Sequence, residues 1–310
     1  MLRIASIGEC MIELSETAAA GEPGGDMQRT FGGDTLNTAV YLIRCLKQAE
    51  MPSGAEVHYV TALGDDPFSA EMLAAWQHEG IATGLVACLP GRLPGLYIIR
   101  TDAAGERTFH YWRSAAAARE LFRAEQAETL AAALGGFDLV YLSAITLGIL
   151  DSESRERLFA LLDALRHCGC RIAFDSNYRP RLWTSRAEAQ EAVGRALGLA
   201  ALALPTFDDE AALFGDADPE ATAARLHALG VEEVVVKCGA EPSLVSRLGQ
   251  RARVAAETVA RVVDTTAAGD SFNAAYLAAR LNGADPQTAA AAGHRLAARI
   301  IATKGAIIPA

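Results

Sequence analysis

The sequence predicts an α/β fold built on a mostly parallel sheet, with a small antiparallel insertion. Three observations carry this. Short apolar runs alternate with stretches of helical period along most of the 310 residues, the rhythm of strands joined by crossover helices. The rhythm breaks between about residues 85 and 113, where two alternating runs flank Asp102-Ala-Ala-Gly105, a hairpin pattern. Two loops of glycine or alanine, at Gly32–Asn37 and Ala267–Asp270, each open a helix. In an open α/β sheet such loops gather at the carboxyl ends of the strands, where ligands bind.

In order, Leu2–Ile7 is an apolar run ending at Gly8, and Glu9–Leu14 alternates as a half-exposed strand does. A Gly/Pro loop (Gly21–Gly25) leads to extended Met27–Phe31. A helix follows from about Thr35 to Gln48, with Leu36, Val40, Ile43 and Leu46 apolar. Val57–Ala62 reads as a strand and Phe68–Glu79 as a helix. The hairpin strands Leu96–Thr101 and Arg107–Trp112 are expected to pack with the strand near Glu9–Leu14. Segments at about 9–31 and 90–113 would then form a lid on a single domain spanning 1–310. The alternation resumes with helices at about 124–134, 152–167, 185–198 and 217–229, and strands at Leu139–Ser143, Arg171–Asp175, 200–204 and Glu233–Lys237. Leu244–Leu248 is a further strand, and helices at Ser271–Leu281 and about 286–303 close the chain.

Composition narrows the function. Apolar residues make up 51% and charged residues 21%, which excludes a disordered chain. A net charge of −10 without a Lys/Arg cluster argues against nucleic-acid and anionic-membrane partners. No apolar run approaches the ~18 residues of a membrane span, and the N-terminus lacks a basic segment before a cleavage site. The expectation is a soluble, cytoplasmic protein. Its six cysteines include no CxxC pair, and Cys168-Gly-Cys170 has no partners at zinc spacing.

Exclusions then sort the nucleotide chemistry. None of the three lysines (Lys47, Lys237, Lys304) follows a glycine, so there is no Walker A loop. GxGxxG, GxSxG and HExxH are absent. What remains is the pair of loops. Ala267, Ala268 and Gly269 are small, so their N–H groups can close on an anion at a helix start, where the dipole favours negative charge. Asp270 stands beside that anion and could take a proton from an attacking hydroxyl. The plainer alternative is a helix capped by Asp and stopped at Asn282-Gly283.

Gly32–Asn37 and Asp264–Ala275 resemble the two signatures of the ribokinase-like (PfkB) carbohydrate kinases, in order and separation, and the resemblance spans the chain. Gly8–Ser15, Arg92–Tyr97, Gly105–Arg113, Asp175–Trp183 and Gly305–Pro309 are similar to the branch that phosphorylates 2-dehydro-3-deoxygluconate. The resemblance implies a ribokinase-like three-layer sandwich with a small β-sheet lid, and transfer from ATP to the sugar acid's terminal hydroxyl. It also implies Mg2+ bound mainly through ATP phosphates and water, with no direct metal ligand. A monovalent cation and a homo-oligomer belong to the same expectation.

The resemblance makes Asp270 the base and Ala267, Ala268 and Gly269 the anion loop. The commoner family residue at 267 is Gly; Ala leaves the N–H accessible but does not readily take a positive φ, and the sugar-acid branch shares it. Gly33, Asp34 and Asn37 are expected at sugar hydroxyls, or as a capped helix start. Tyr97, Tyr111 and Arg113 lie on the hairpin, and alternation places Phe109, Tyr111 and Arg113 on one face. Rings would cover sugar carbons and the guanidinium would pair with the carboxylate. A solvated strand face is the alternative, with His110 competing for the Tyr111 position. Arg179 would hold a carboxylate or phosphate at a strand end, with Asn177 nearby. Lys237, Gly239 and Ser243 are expected along the nucleotide, together with Asn177. The family's Asn-x-x-Glu stretch is altered to Pro205-Thr-Phe-Asp-Asp-Glu210, leaving Asp209 or Glu210 as its acid.

Overall fold

The computed structural model describes residues 1–16, 26–49, 54–101 and 107–309. The expected Gly21–Gly25 loop and Asp102–Gly105 turn lie outside the described residues.

The elements up to the hairpin are β1 (Leu2–Ile7), β2 (Met11–Glu16), β3 (Met27–Gly32), α1 (Asp34–Gln48), β4 (Ala55–Leu63), α2 (Pro67–Glu79), β5 (Val86–Cys88), β6 (Gly95–Thr101) and β7 (Arg107–Trp112). Next come α3 (Ala124–Leu134), β8 (Leu139–Ser143), α4 (Ala144–Ile149), α5 (Ser152–His167), β9 (Arg171–Asp175), α6 (Arg186–Leu199), β10 (Leu202–Ala203), α7 (Phe207–Phe214) and α8 (Pro219–Ala228). The chain ends with β11 (Glu233–Cys238), β12 (Glu241–Arg247), β13 (Gln250–Val254), α9 (Ala268–Leu281) and α10 (Pro286–Ile301).

Nine strands form one sheet in the order β13-β12-β11-β10-β9-β8-β1-β4-β5. Pairing is parallel except where β11, β12 and β13 run antiparallel. Both faces are covered, so strand side chains alternate between two cores. Val140 and Leu142 pack with α5, α6 and α8 on one face. Leu139 and Tyr141 pack with α1, α2, α9 and α10 on the other. The three-layer expectation is met. Trp76 of α2, with no exposed surface, anchors the second core; truncating such a side chain to alanine typically costs about 3–5 kcal/mol.

A separate sheet of four strands runs β3-β2-β6-β7. β6 and β7 form the expected hairpin, and β2 lies parallel to β6 with Glu13 opposite Tyr97. Helices α4 and α7 and strands β5 and β13 were not legible in the sequence, being short or wedged against stronger signals.

Two close approaches fix α1 over the end of β1. A β-carbon at Gly8 would fall 2.2 Å from Thr35 Oγ1, and one at Gly33 2.1 Å from the Glu9 carbonyl oxygen. β1 has β4 on one side and β8 on the other; chain direction across the sheet reverses there, which opens a crevice at the carboxyl ends.

Candidate active site

The carboxyl ends of three strands and the N-termini of two helices converge in that crevice. β8 contributes Ser143, β9 Asp175 and β11 Lys237; α1 contributes Asp34 and Asn37, and α9 contributes Asp270 and Asn273. Ser143 and Asp175 are direct neighbours in register.

Asn37 Nδ2 donates to Asp270 Oδ2 at 2.8 Å, and Thr38 Oγ1 to the Asp270 carbonyl at 3.3 Å. The two glycine-or-alanine loops therefore meet. Asp270 is not a cap: α9 has Ala267 at its N-cap position with no side-chain cap, and Asp270 lies inside the first turn. The opening N–H groups of a helix lack intrahelical partners; Ala268 N is taken by the Thr265 carbonyl at 3.2 Å, and the N–H groups that follow it are available to an anion.

Ala267 corrects an expectation. Its φ is 60°, the left-handed region that L-residues enter at a cost of about 1–2 kcal/mol. The surroundings hold it there: Ser271 N donates to the Ala267 carbonyl at 2.8 Å, while Asp264 accepts from Thr266 N and Gly305 N.

Burial pushes the Asp270 carboxyl up to about 7; repulsion from Asp34 and Asp175 adds to this, opposed by the Asn37 hydrogen bond and by Lys237. Asp34 is also raised, mainly by burial, against hydrogen bonds from Ser143 and Asn177. Asn177, expected along the nucleotide, reaches Asp34 Oδ2 with its Nδ2 at 2.9 Å, which ties it to the Gly32–Asn37 loop. The Oδ1 of Asn37 is buried without a partner, a free acceptor for a ligand hydroxyl.

Lys237 was expected along the nucleotide. Instead its Nζ lies 2.8 Å from Asp175 Oδ2 and 3.0 Å from Asn273 Oδ1. Asn273 Nδ2 closes the triangle on Asp175 at 2.7 Å and also reaches Tyr141 at 3.1 Å. Ser243 is committed as well: alternation along β12 turns it under α10, where its fully buried hydroxyl meets His294 Nε2 at 2.9 Å. Gly239 sits in the β11–β12 turn at φ 61° with open space around it.

The small sheet borders the crevice. Tyr97, Phe109 and Tyr111 form a ring cluster, with Tyr111 5.8 Å from Tyr97 and 46% exposed. The Tyr97 hydroxyl, however, donates to Glu13. Arg113 is paired with Glu9, whose side chain is 1% exposed. The guanidinium expected to meet a substrate carboxylate already holds an internal one. Arg179 is the freer cation: it is half exposed, 2.8 Å from the Tyr178 carbonyl and a loose 3.4 Å from Asp209. Glu210 turns the other way, fully buried on Arg225, so Asp209 is the acid of that stretch that faces the site. Thr206 occupies the N-cap position of α7 and bridges to Lys237 through the backbone.

Sequence reading missed Asp175, Asn273, Ser143 and Glu9 as site residues. Asn273 carried a signal, since it lies one helical turn past Asp270 and so on the same face. Asp175 carried another, as the last residue of an apolar strand.

The pattern of the pfkB family carbohydrate kinases matches residues 1–310. The chain belongs to the pfkB family of carbohydrate kinases. It is 50% identical over 309 residues to a 2-dehydro-3-deoxygluconokinase of Dickeya dadantii (strain 3937), covering 99% of this chain and 96% of that one. It is 49% identical over 310 residues to the 2-dehydro-3-deoxygluconokinase of Escherichia coli (strain K12), covering 99% and 97%. Among solved structures, a provisionally assigned ribokinase II from E. coli, in complex with ATP and Mg2+, superposes with a TM-score of 0.85. That likeness covers 99% of this chain and 94% of the other at 20% identity, and it concerns the fold. Among the described residues, no helix is long and apolar enough to cross a membrane.

Proposed function

We propose that the protein transfers the γ-phosphoryl group of ATP to the 6-hydroxyl of 2-dehydro-3-deoxy-D-gluconate, giving the 6-phospho sugar acid and ADP. The observation that carries the chemistry is the Asn37–Asp270 contact. It joins the Gly32–Asn37 loop to a carboxyl of raised proton affinity that itself stands in the first turn of the uncapped α9, so one point offers both a base and an anion site. The substrate follows from the curated relatives, half identical over nearly the whole chain.

In this reading the hydroxyl oxygen bonds to the γ-phosphorus as the bond to ADP breaks, and its proton passes to Asp270. The N–H groups of Ala267 and Gly269 and of Asp270 itself face the developing negative charge, while Ala268, whose N–H donates to the Thr265 carbonyl at 3.2 Å, shapes the turn that presents them. Gly33 lets the sugar approach the backbone; Asp34, Asn37 and Asn177 bind its hydroxyls, and Tyr97 and Tyr111 cover its carbons. Arg179 pairs with the carboxylate. Mg2+ neutralises the ATP phosphates. The cation would be carried mainly by ATP phosphates and water. Gly239 borders the nucleotide. ATP as donor suits a cytoplasmic setting.

Phe31, Ile12, Leu96 and Trp112 form one row across all four strands of the small sheet, and Trp112 is 58% exposed. This row supports a homo-oligomer formed through that face, which light scattering in solution would test.

One observation favours a second reading, a kinase for a neutral ketose: Arg113 is already neutralised by Glu9. A coupled ADP assay with Mg-ATP over sugar acids and neutral ketoses, in K+ and in Na+, decides. Turnover of the sugar acid at far higher kcat/KM supports the proposal; preference for fructose supports the second reading. No ADP with any substrate would leave a sugar-binding protein without catalysis.

A further inference from the structure

We infer that Lys237, held by Asp175 and Asn273, is the positioning residue that seats the 267–270 loop and balances the charge around Asp270. This deepens the kinase reading and rests on it. The pairing of β11 with β12 shifts register between Val236 and Cys238, so Lys237 occupies a bulge, a device that re-aims a side chain. Its amide is fixed by the Pro205 carbonyl at 2.8 Å. The ammonium therefore turns out of the sheet and under the loop: a β-carbon placed on Gly269 would lie 3.4 Å from Nζ.

Lys237, Asp175 and Asn273 are 7%, 3% and 0% exposed. A buried ammonium is tolerated only when paired and hydrogen-bonded. Asp175 and Asn273 take two of its three N–H donors. The third makes no hydrogen bond to a described residue, and the Gly269 backbone is the neighbouring wall. Asn273 belongs to α9, three residues from Asp270, so the triangle ties the helix carrying the base to the ends of β9 and β11.

The groups facing Asp270 define the balance. Asp34 comes from α1, Asp175 from β9 and Lys237 from β11; Tyr41 of α1 and Tyr141 of β8 also sense Asp270. His294 of α10 faces Phe272 and Ser243 instead. Lys237 is the single cation in this set. Removing Asp175 leaves the ammonium unopposed, which favours ionised Asp270. Removing both members restores the balance but deprives the loop of its support.

The test is the pH profile of kcat/KM for Asp175→Asn and for Asp175→Asn/Lys237→Met, alongside the wild type. The double variant leaves no unpaired buried charge, so it keeps the test open if the single variant fails to fold. The single variant is expected to move the acidic limb down by about 0.5–1 pH unit. The double variant is expected to return the limb to the wild-type position while kcat falls about tenfold or more, as misplacement of a reacting group produces, with KM for ATP little changed. A limb that stays at the wild-type position in Asp175→Asn, or a double variant with wild-type kcat, overturns the inference. So does a change confined to KM for ATP, which would make Lys237 an ordinary nucleotide contact.

Discussion

Asn37 donates from Nδ2 to Asp270 Oδ2 across 2.8 Å of space and 233 residues of chain. The bond fixes the carboxyl that would accept the substrate proton to the helix that would hold the sugar. Asp270→Asn retains the shape and loses the base. The expected result is a kcat lower by about 10²–10⁴-fold, with ATP affinity nearly unchanged when measured by calorimetry.

The same substitution has a stability consequence of opposite sign. The folded carboxyl titrates near 7, above its usual 3.8. Folded protein thus binds the proton more tightly than unfolded chain between those values, and stability falls as pH rises through that window. Asp270→Asn removes this loss. Its melting temperature should exceed the wild type's at pH 8, with the gap closing toward pH 4.

For activity, the ionised carboxylate is the working form. The acidic limb of kcat/KM is expected near pH 7, well above an ordinary aspartate. Initial rates between pH 5 and 9 locate it; a limb near 4 would remove Asp270 from the titration.

Arg113 and Arg179 should separate. Arg113→Ala strands the buried Glu9 carboxylate, a loss of about 3–5 kcal/mol of stability, partly recovered by adding Glu9→Gln. Arg179→Ala removes an exposed cation and should leave stability unchanged. It should raise KM for the sugar acid about tenfold, the worth of one charged hydrogen bond, and leave a neutral ketose unaffected.

Ala267 stores strain that glycine would release. Ala267→Gly is expected to stabilise the fold by about 1 kcal/mol, read by chemical denaturation, with kinase activity retained.

The sequence made the strand order of events visible because apolar runs and helical periods repeat cleanly, and the loops at Gly32 and Ala267 stood out by composition. The pairings were not visible. Nothing in the spacing of Arg113 says that Glu9 reaches it first, because β7 and the end of β1 meet only once the small sheet closes. Lys237 reads as a residue along the nucleotide, and nothing in its spacing shows the bulge at 236–238 that turns it onto Asp175 and Asn273. Ser243 reads as part of a loop until β12 and α10 bury it against His294. Ala267 was not expected to take a positive φ readily, a local preference that the anchored Asp264 and Ser271 override.

Transfer of the γ-phosphoryl group of ATP to the terminal hydroxyl of the sugar acid, with Asp270 as base, can be observed in the product. Product analysis by 31P–1H correlation NMR tests it most directly, after incubation with Mg-ATP and 2-dehydro-3-deoxy-D-gluconate. The account predicts one new phosphate ester coupled to the C6 protons, formed by the wild type and nearly absent with Asp270→Asn. An ester at another carbon, ADP without an ester, or equal yield from the variant would contradict it.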